Sequence, residues 1–104
     1  MVDAVSRHKE AIAALCGAYH VKRLDVFGSA ASGTDFDPAR SDVDFVVEFE
    51  PGTDLGPWLA TYHDFKRDLE KLLGRSVDLV MAGASRNPYF IHELEHTRQK
   101  IYAS

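Results

Sequence analysis

The sequence predicts one α/β (α+β) domain over residues 1–104, with a small mixed β-sheet flanked by helices in the order α-β-β-α-β-α. Three observations predict it. At 104 residues the chain can bury one hydrophobic core but not two. Hydrophobic residues at 45% and charged residues at 27% are the mix of a water-soluble globular domain, and no apolar run is long enough to cross a bilayer. Breakers then cut the chain into short segments whose apolar spacing alternates between helix and strand periods.

The elements follow in order. Asp3 is placed to cap a first helix over residues 4 to 18, with the apolar stripe Val5, Ile12, Leu15, Cys16 and Tyr19. "VKRLDVFG" reads as a strand over 21 to 27. A loop rich in Gly, Ser, Thr, Asp and Pro runs from Gly28 to Ser41, with "AAS" as a short helical turn and Asp35 and Asp37 as turn formers. A second strand spans 42 to 50 and closes at "PGTD". From Leu55 to Leu73 the apolar residues Leu55, Trp58, Leu59, Tyr62, Phe65, Leu69, Leu72 and Leu73 recur at three and four, which predicts one helix with a buried face, stopped by Gly74. "RSVDLVMA" is the third strand. Asn87 and Pro88 supply the N-cap and first position of a final helix ending near Tyr102. Helices packed mainly on one sheet face leave another face or edge for a site.

Composition also excludes function classes. A formal net charge of −4 argues against direct nucleic-acid binding, which concentrates lysine and arginine against phosphates. Charges run through the N-terminal segment where a signal peptide needs an apolar stretch, so a cytoplasmic location is expected, with no membrane partner. Cys16 is the single cysteine and reads as a small buried hydrophobe. Tyr89, Phe90 and Tyr102, if exposed together, would mark a partner interface.

The chemistry is concentrated in "SDVDFVVEF". Side chains alternate along a strand, so Asp42 and Asp44 point to one face while Val43, Phe45 and Val47 point to the other. Two converging carboxylates resist burial without compensation, and hard divalent cations such as Mg²⁺ take such oxygen ligands together with substrate phosphates. Asp78 opens another apolar strand. If that strand lies beside the first, three acids line one site, enough for two metal ions about 3.5–4 Å apart. Upstream, Gly28 permits close backbone approach, and Ser29 brings a hydroxyl to a helix start, which makes a phosphate cradle. A phosphate grip followed by a metal grip specifies a metal-bound nucleoside triphosphate.

The residues "FGSAASG…SDVDF" with "VDLV" resemble the polymerase-β-like nucleotidyltransferase superfamily, in particular its minimal single-domain members, the MntA-type antitoxins of HEPN/MNT toxin–antitoxin pairs. The resemblance covers Leu24 to Val80. It implies the polymerase-β-like fold, triphosphate binding by Gly28 and Ser29, Mg²⁺ ligation by Asp42 and Asp44, and Asp78 as the third acid, helping to deprotonate the attacking hydroxyl. Residues 30 to 41 between Ser29 and Asp42 make a longer spacing than is usual, and Ala30, Ala31 and Ser32 stand where many relatives place an arginine. Arg40 is the candidate substitute in triphosphate binding. The resemblance further implies two Mg²⁺ ions, ATP as substrate, and AMP transfer to a hydroxyl, a tyrosine of a helical HEPN-type partner toxin.

Two other readings stand beside it. One is a binding module that neutralises its partner by contact alone. The other is a zinc hydrolase built on "HELEH", residues 92 to 96, which places His92 and His96 on one helix face; the following "TRQKIYAS" offers no third ligand. Exposed histidines on an acidic helix face are the plainer expectation for that segment.

Overall fold

Two valine- and phenylalanine-rich segments form the middle of the sheet. β1 (Val21–Phe27) and β2 (Val43–Phe49) pair antiparallel, and β3 (Val77–Met81) joins β2 in parallel. The computed structural model describes residues 1–33, 36–37 and 42–104, and it orders four strands as β3-β2-β1-β4. β4 (Gln99–Ala103) lies antiparallel to β1 on its outer side.

That fourth strand corrects the expected final helix. α5 (Pro88–Thr97) starts as expected, with the Asn87 side chain accepting from the Tyr89 N–H, but it stops at Thr97. Arg98 turns extended, at φ −61° and ψ 136°, and the next five residues join the sheet. The physical reason is the outer edge of β1. Its backbone N–H and C=O groups need partners, and Gln99–Ala103 supply them while burying Ile101.

The remaining helices are α1 (Asp3–Ser6), α2 (Lys9–Ala18), α3 (Ser29–Ser32) and α4 (Ala60–Leu73). The helix expected over 4 to 18 is therefore broken at Arg7 and His8. Asp3 is the first residue of α1 and not its cap, which is Val2. The Val2 N–H donates to the Ala30 carbonyl at 2.8 Å, tying this first turn to α3.

The helix expected from Leu55 also begins later. A 3₁₀ turn, Pro57–Leu59, precedes α4, and both Trp58 and Leu59 take left-handed φ angles near 57°. That turn swings Trp58 off the buried face, leaving it 92% exposed, so its expected place in the core is corrected. Tyr62, Phe65, Leu69 and Leu73 do face the core, and Gly74 ends the helix at φ 68°.

α2 and α4 cover one face of the sheet. Ile12, Cys16, Phe65 and Leu69 meet Leu24, Val26, Phe45 and Val47, all fully buried. Each such Leu, Ile or Phe contributes roughly 1.5–3 kcal/mol through burial. Strand alternation sends Asp25, Phe27, Asp44, Val46, Asp78 and Val80 to the opposite face. α5 crosses part of that second face, where Phe90 meets Phe27 edge-on with ring centroids 5.6 Å apart. Tyr89 is exposed and Tyr102 packs against the core, so the condition of the three aromatics being exposed together is not met. Among the described residues no helix is long and apolar enough to cross a membrane.

Candidate active site

Strand register decides which acids meet. Asp44 on β2 stands opposite Asp78 on β3, and registered residues of parallel neighbours project to the same side. Both leave the sheet on the face away from α2 and α4. Asp42 lies one residue before β2, exposed, because the strand runs 43–49 and not from 42.

Gly28 closes the site from β1. Its backbone sits at φ 69° and ψ −148°, a conformation essentially restricted to glycine. A Cβ there would fall 2.9 Å from Asp44 Oδ2 and 3.5 Å from Glu93 Oε1. The glycine therefore lets the turn into α3 approach the acid. Ser29 opens α3, whose Ala31 and Ser32 N–H groups donate to the Gly28 carbonyl, with Ala30 and Ala31 fully buried. Arg40, expected near the triphosphate, and Asp35, expected in a turn, lie outside the described residues.

The electrostatics follow from this crowding. Burial, then the charges of Asp78, Glu93 and Asp42, push the Asp44 carboxyl up to about 6. Among the described residues no three His, Cys, Asp or Glu side chains stand ready to enclose a metal ion. The donor set still suits a hard divalent cation: it is all carboxylate oxygen, and its central member carries like charge around it that a cation would neutralise.

Glu93 and Thr97 are the members that sequence reasoning missed. Both project from α5 toward Gly28: Glu93 Oε1 would lie 3.5 Å from a Cβ placed there, and Thr97 Oγ1 accepts from its N–H at 2.8 Å. Their spacing of four on a helix was the available signal, but the strand they face lies far away in sequence. The histidines of the same segment turn elsewhere. His92 and His96 are exposed with ring centroids 3.9 Å apart, and His96 Nδ1 lies 2.9 Å from the His92 carbonyl oxygen. This matches the plainer expectation of two exposed histidines.

The mixed sheet sets two registered carboxylates beside a glycine-serine turn, the arrangement expected from the resemblance to nucleotidyltransferases. The chain belongs to the nucleotidyltransferase domain family, whose model matches residues 5–102, and it is a nucleotidyltransferase. It is 34% identical over 93 residues to a Methanocaldococcus jannaschii protein named "Putative protein adenylyltransferase MJ0128", covering 89% of this chain and 86% of that one. A solved "putative minimal nucleotidyltransferase" superposes with a TM-score of 0.68 at 32% identity, covering 89% of this chain and 88% of the other. A tri-AMPylated Shewanella oneidensis HEPN toxin in complex with MNT antitoxin contributes a chain of similar fold. There the TM-score is 0.64 at 15% identity, covering 94% of this chain and 71% of that one.

Proposed function

We propose that this nucleotidyltransferase moves AMP from ATP to a tyrosine hydroxyl of a helical HEPN-type partner, silencing it as an antitoxin. The observation that carries the reading is the parallel register of Asp44 with Asp78 beside Gly28. The protein adenylyltransferase name of the M. jannaschii relative and the AMP-bearing toxin of the similarly folded complex support the choice of group and acceptor.

In the proposed reaction the acceptor oxygen attacks the α-phosphorus. A new P–O bond forms, the bond to the bridging oxygen breaks, and pyrophosphate leaves. Asp78 accepts the acceptor's proton. Gly28 brings the turn up against Asp44, so that the turn meets the triphosphate beside the acids, and the Ser29 hydroxyl donates to the phosphates, with Arg40 as a further triphosphate contact. Asp42, Asp44 and Asp78 would hold Mg²⁺, whose charge would offset that of the phosphates and favour attack at the α-phosphorus.

A second reading, neutralisation by contact alone, draws on one observation. α3 buries Ala30 and Ala31 where many relatives carry an arginine, so this turn brings no cation of its own to a triphosphate.

The test is incubation with Mg²⁺ and host lysate, with ATP labelled at the α-phosphate in one tube and the γ-phosphate in another. The Asp42→Asn/Asp44→Asn variant is the control. A protein band labelled from the α position alone, and absent with the variant, is expected. A band labelled from the γ position that depends on the added protein and is lost with the variant overturns nucleotidyl transfer. No label in either tube, with a partner still co-purifying, transfers the conclusion to the contact model.

A further inference from the structure

Three consecutive residues at the junction of α5 and β4 each reach back to β1, to α3 or to Gly28 between them. Thr97 Oγ1 accepts the Gly28 N–H at 2.8 Å and donates to the Glu93 carbonyl at 2.7 Å. Gln99 Nε2 donates to the Ala31 carbonyl at 3.1 Å. Between them Arg98 Nε donates to Asp25 Oδ2 at 2.6 Å, and Asp25 is fully buried in β1.

The turn from Gly28 to Ser32 is therefore held at both ends by one short segment far away in sequence. Thr97 holds its first amide and Gln99 a carbonyl near its last residue. The buried ion pair fixes the segment itself. An uncompensated carboxylate in the interior costs several kcal/mol, so Asp25 resists losing its arginine. α5 passes without a loop into β4, whose pairing with β1 fixes the Gln99 backbone opposite Val26. The glycine at the turn needs such restraint, because it has the widest choice of backbone conformations.

The geometry points to Thr97 and Gln99 as positioning residues for nucleotide binding. Through Gly28 and Ala31 they set the glycine-serine turn against Asp44, with the Arg98–Asp25 pair as their anchor. This rests on the proposed nucleotide reading of that turn. Neither residue need touch the substrate. Their effect is to spare the turn the ordering cost it would otherwise meet when phosphate binds.

The test compares wild type with Thr97→Val, Gln99→Ala and Thr97→Ser by calorimetric titration with Mg-ATP and, separately, with inorganic tripolyphosphate in Mg²⁺. Thermal melts and the amide proton shift of Gly28 are recorded for each. Thr97→Val and Gln99→Ala are expected to weaken both ligands equally, by about three- to ten-fold each, the range of one lost hydrogen bond. Thr97→Ser, which keeps the hydroxyl, is expected to bind as wild type and to keep the Gly28 amide shift. A role in overall stability alone would show as a lowered melting temperature, with affinity unchanged under conditions where each variant is fully folded and with the Gly28 amide shift kept.

Tight binding retained in both Thr97→Val and Gln99→Ala overturns the positioning role while leaving the nucleotide reading intact. So does a loss confined to ATP, since the turn contacts phosphate and not the base. If wild type binds neither ligand, the nucleotide reading fails and the positioning role falls with it.

Discussion

Asp44 on β2 and Asp78 on β3 face each other across a parallel pair, so the sheet holds two like charges on one face, with Glu93 approaching Asp44 from α5. Two carboxylates so placed store an electrostatic conflict in the fold. The proposed cation beside the proposed phosphate-binding turn would give that conflict a use.

The conflict has a pH signature. The folded Asp44 carboxyl is raised from 3.8 to about 6, so the folded state binds a proton that the unfolded chain has already released. Its stabilising contribution is fully present below about pH 4 and is lost as pH rises through about 6. Melting temperatures of wild type and Asp44→Asn, measured without metal from pH 4 to 8, are expected to diverge as pH rises from about 4 through 6 and to stay apart above it, with the variant the more stable. Mg²⁺ added at pH 7.5 is expected to raise wild type toward the variant. A difference independent of pH and of Mg²⁺ would refute this account.

Gly28→Ala is expected to destabilise the fold by about 1–3 kcal/mol, the cost of a side chain in a glycine-only backbone region. The added carbon also meets Asp44 Oδ2 at 2.9 Å, so the site must shift even where the chain folds. Gly17→Ala is the matched control, because it lies in α2 with nothing within 4 Å of the new carbon. There the expected change is a gain of about 0.5–1 kcal/mol from helix propensity. Urea unfolding of the two variants gives both values.

The buried carboxylate of Asp25 takes Arg98 Nε at 2.6 Å and Arg23 at 2.9 Å, but the arginines are unequal. Arg23 is 46% exposed and Arg98 24%. Arg98→Met is expected to cost about 3 kcal/mol, since it strands an interior charge on one solvent-screened partner. Arg23→Met is expected to cost under about 1 kcal/mol. Asp25→Leu combined with Arg98→Met is expected to recover most of the loss, because no charge then remains to be buried. Denaturant titrations decide the order, and equal costs for the two arginines would show that burial is not what separates them.

Much of this architecture was legible locally. "VKRLDVF" and "VDFVVEF" are β-branched and aromatic runs that form strands wherever a sheet is available. Asn87-Pro88 and Gly74 act through their own backbone preferences, and they begin and end helices where expected. Strand alternation also placed Asp44 opposite in face to Val43 and Phe45. β4 was not legible, because Gln99–Ala103 buries one residue, Ile101, and owes its form to the edge it completes. Trp58 was misplaced for a related reason: helical spacing describes a face, but two left-handed residues before α4 remove the face from it.

Local chemistry in the chain marked the candidate site residues Gly28, Ser29, Asp42, Asp44 and Asp78, and the strands that carry Asp44 and Asp78, because those depend on side-chain type and a period of two. Folding alone sets Asp44 and Asp78 in one register, brings Glu93 and Thr97 to Gly28, and lets Arg98 reach β1 and Gln99 reach α3. These are contacts between residues far apart in the chain. They are fixed by which strand edges pair and which charges are buried together, and no local spacing encodes them.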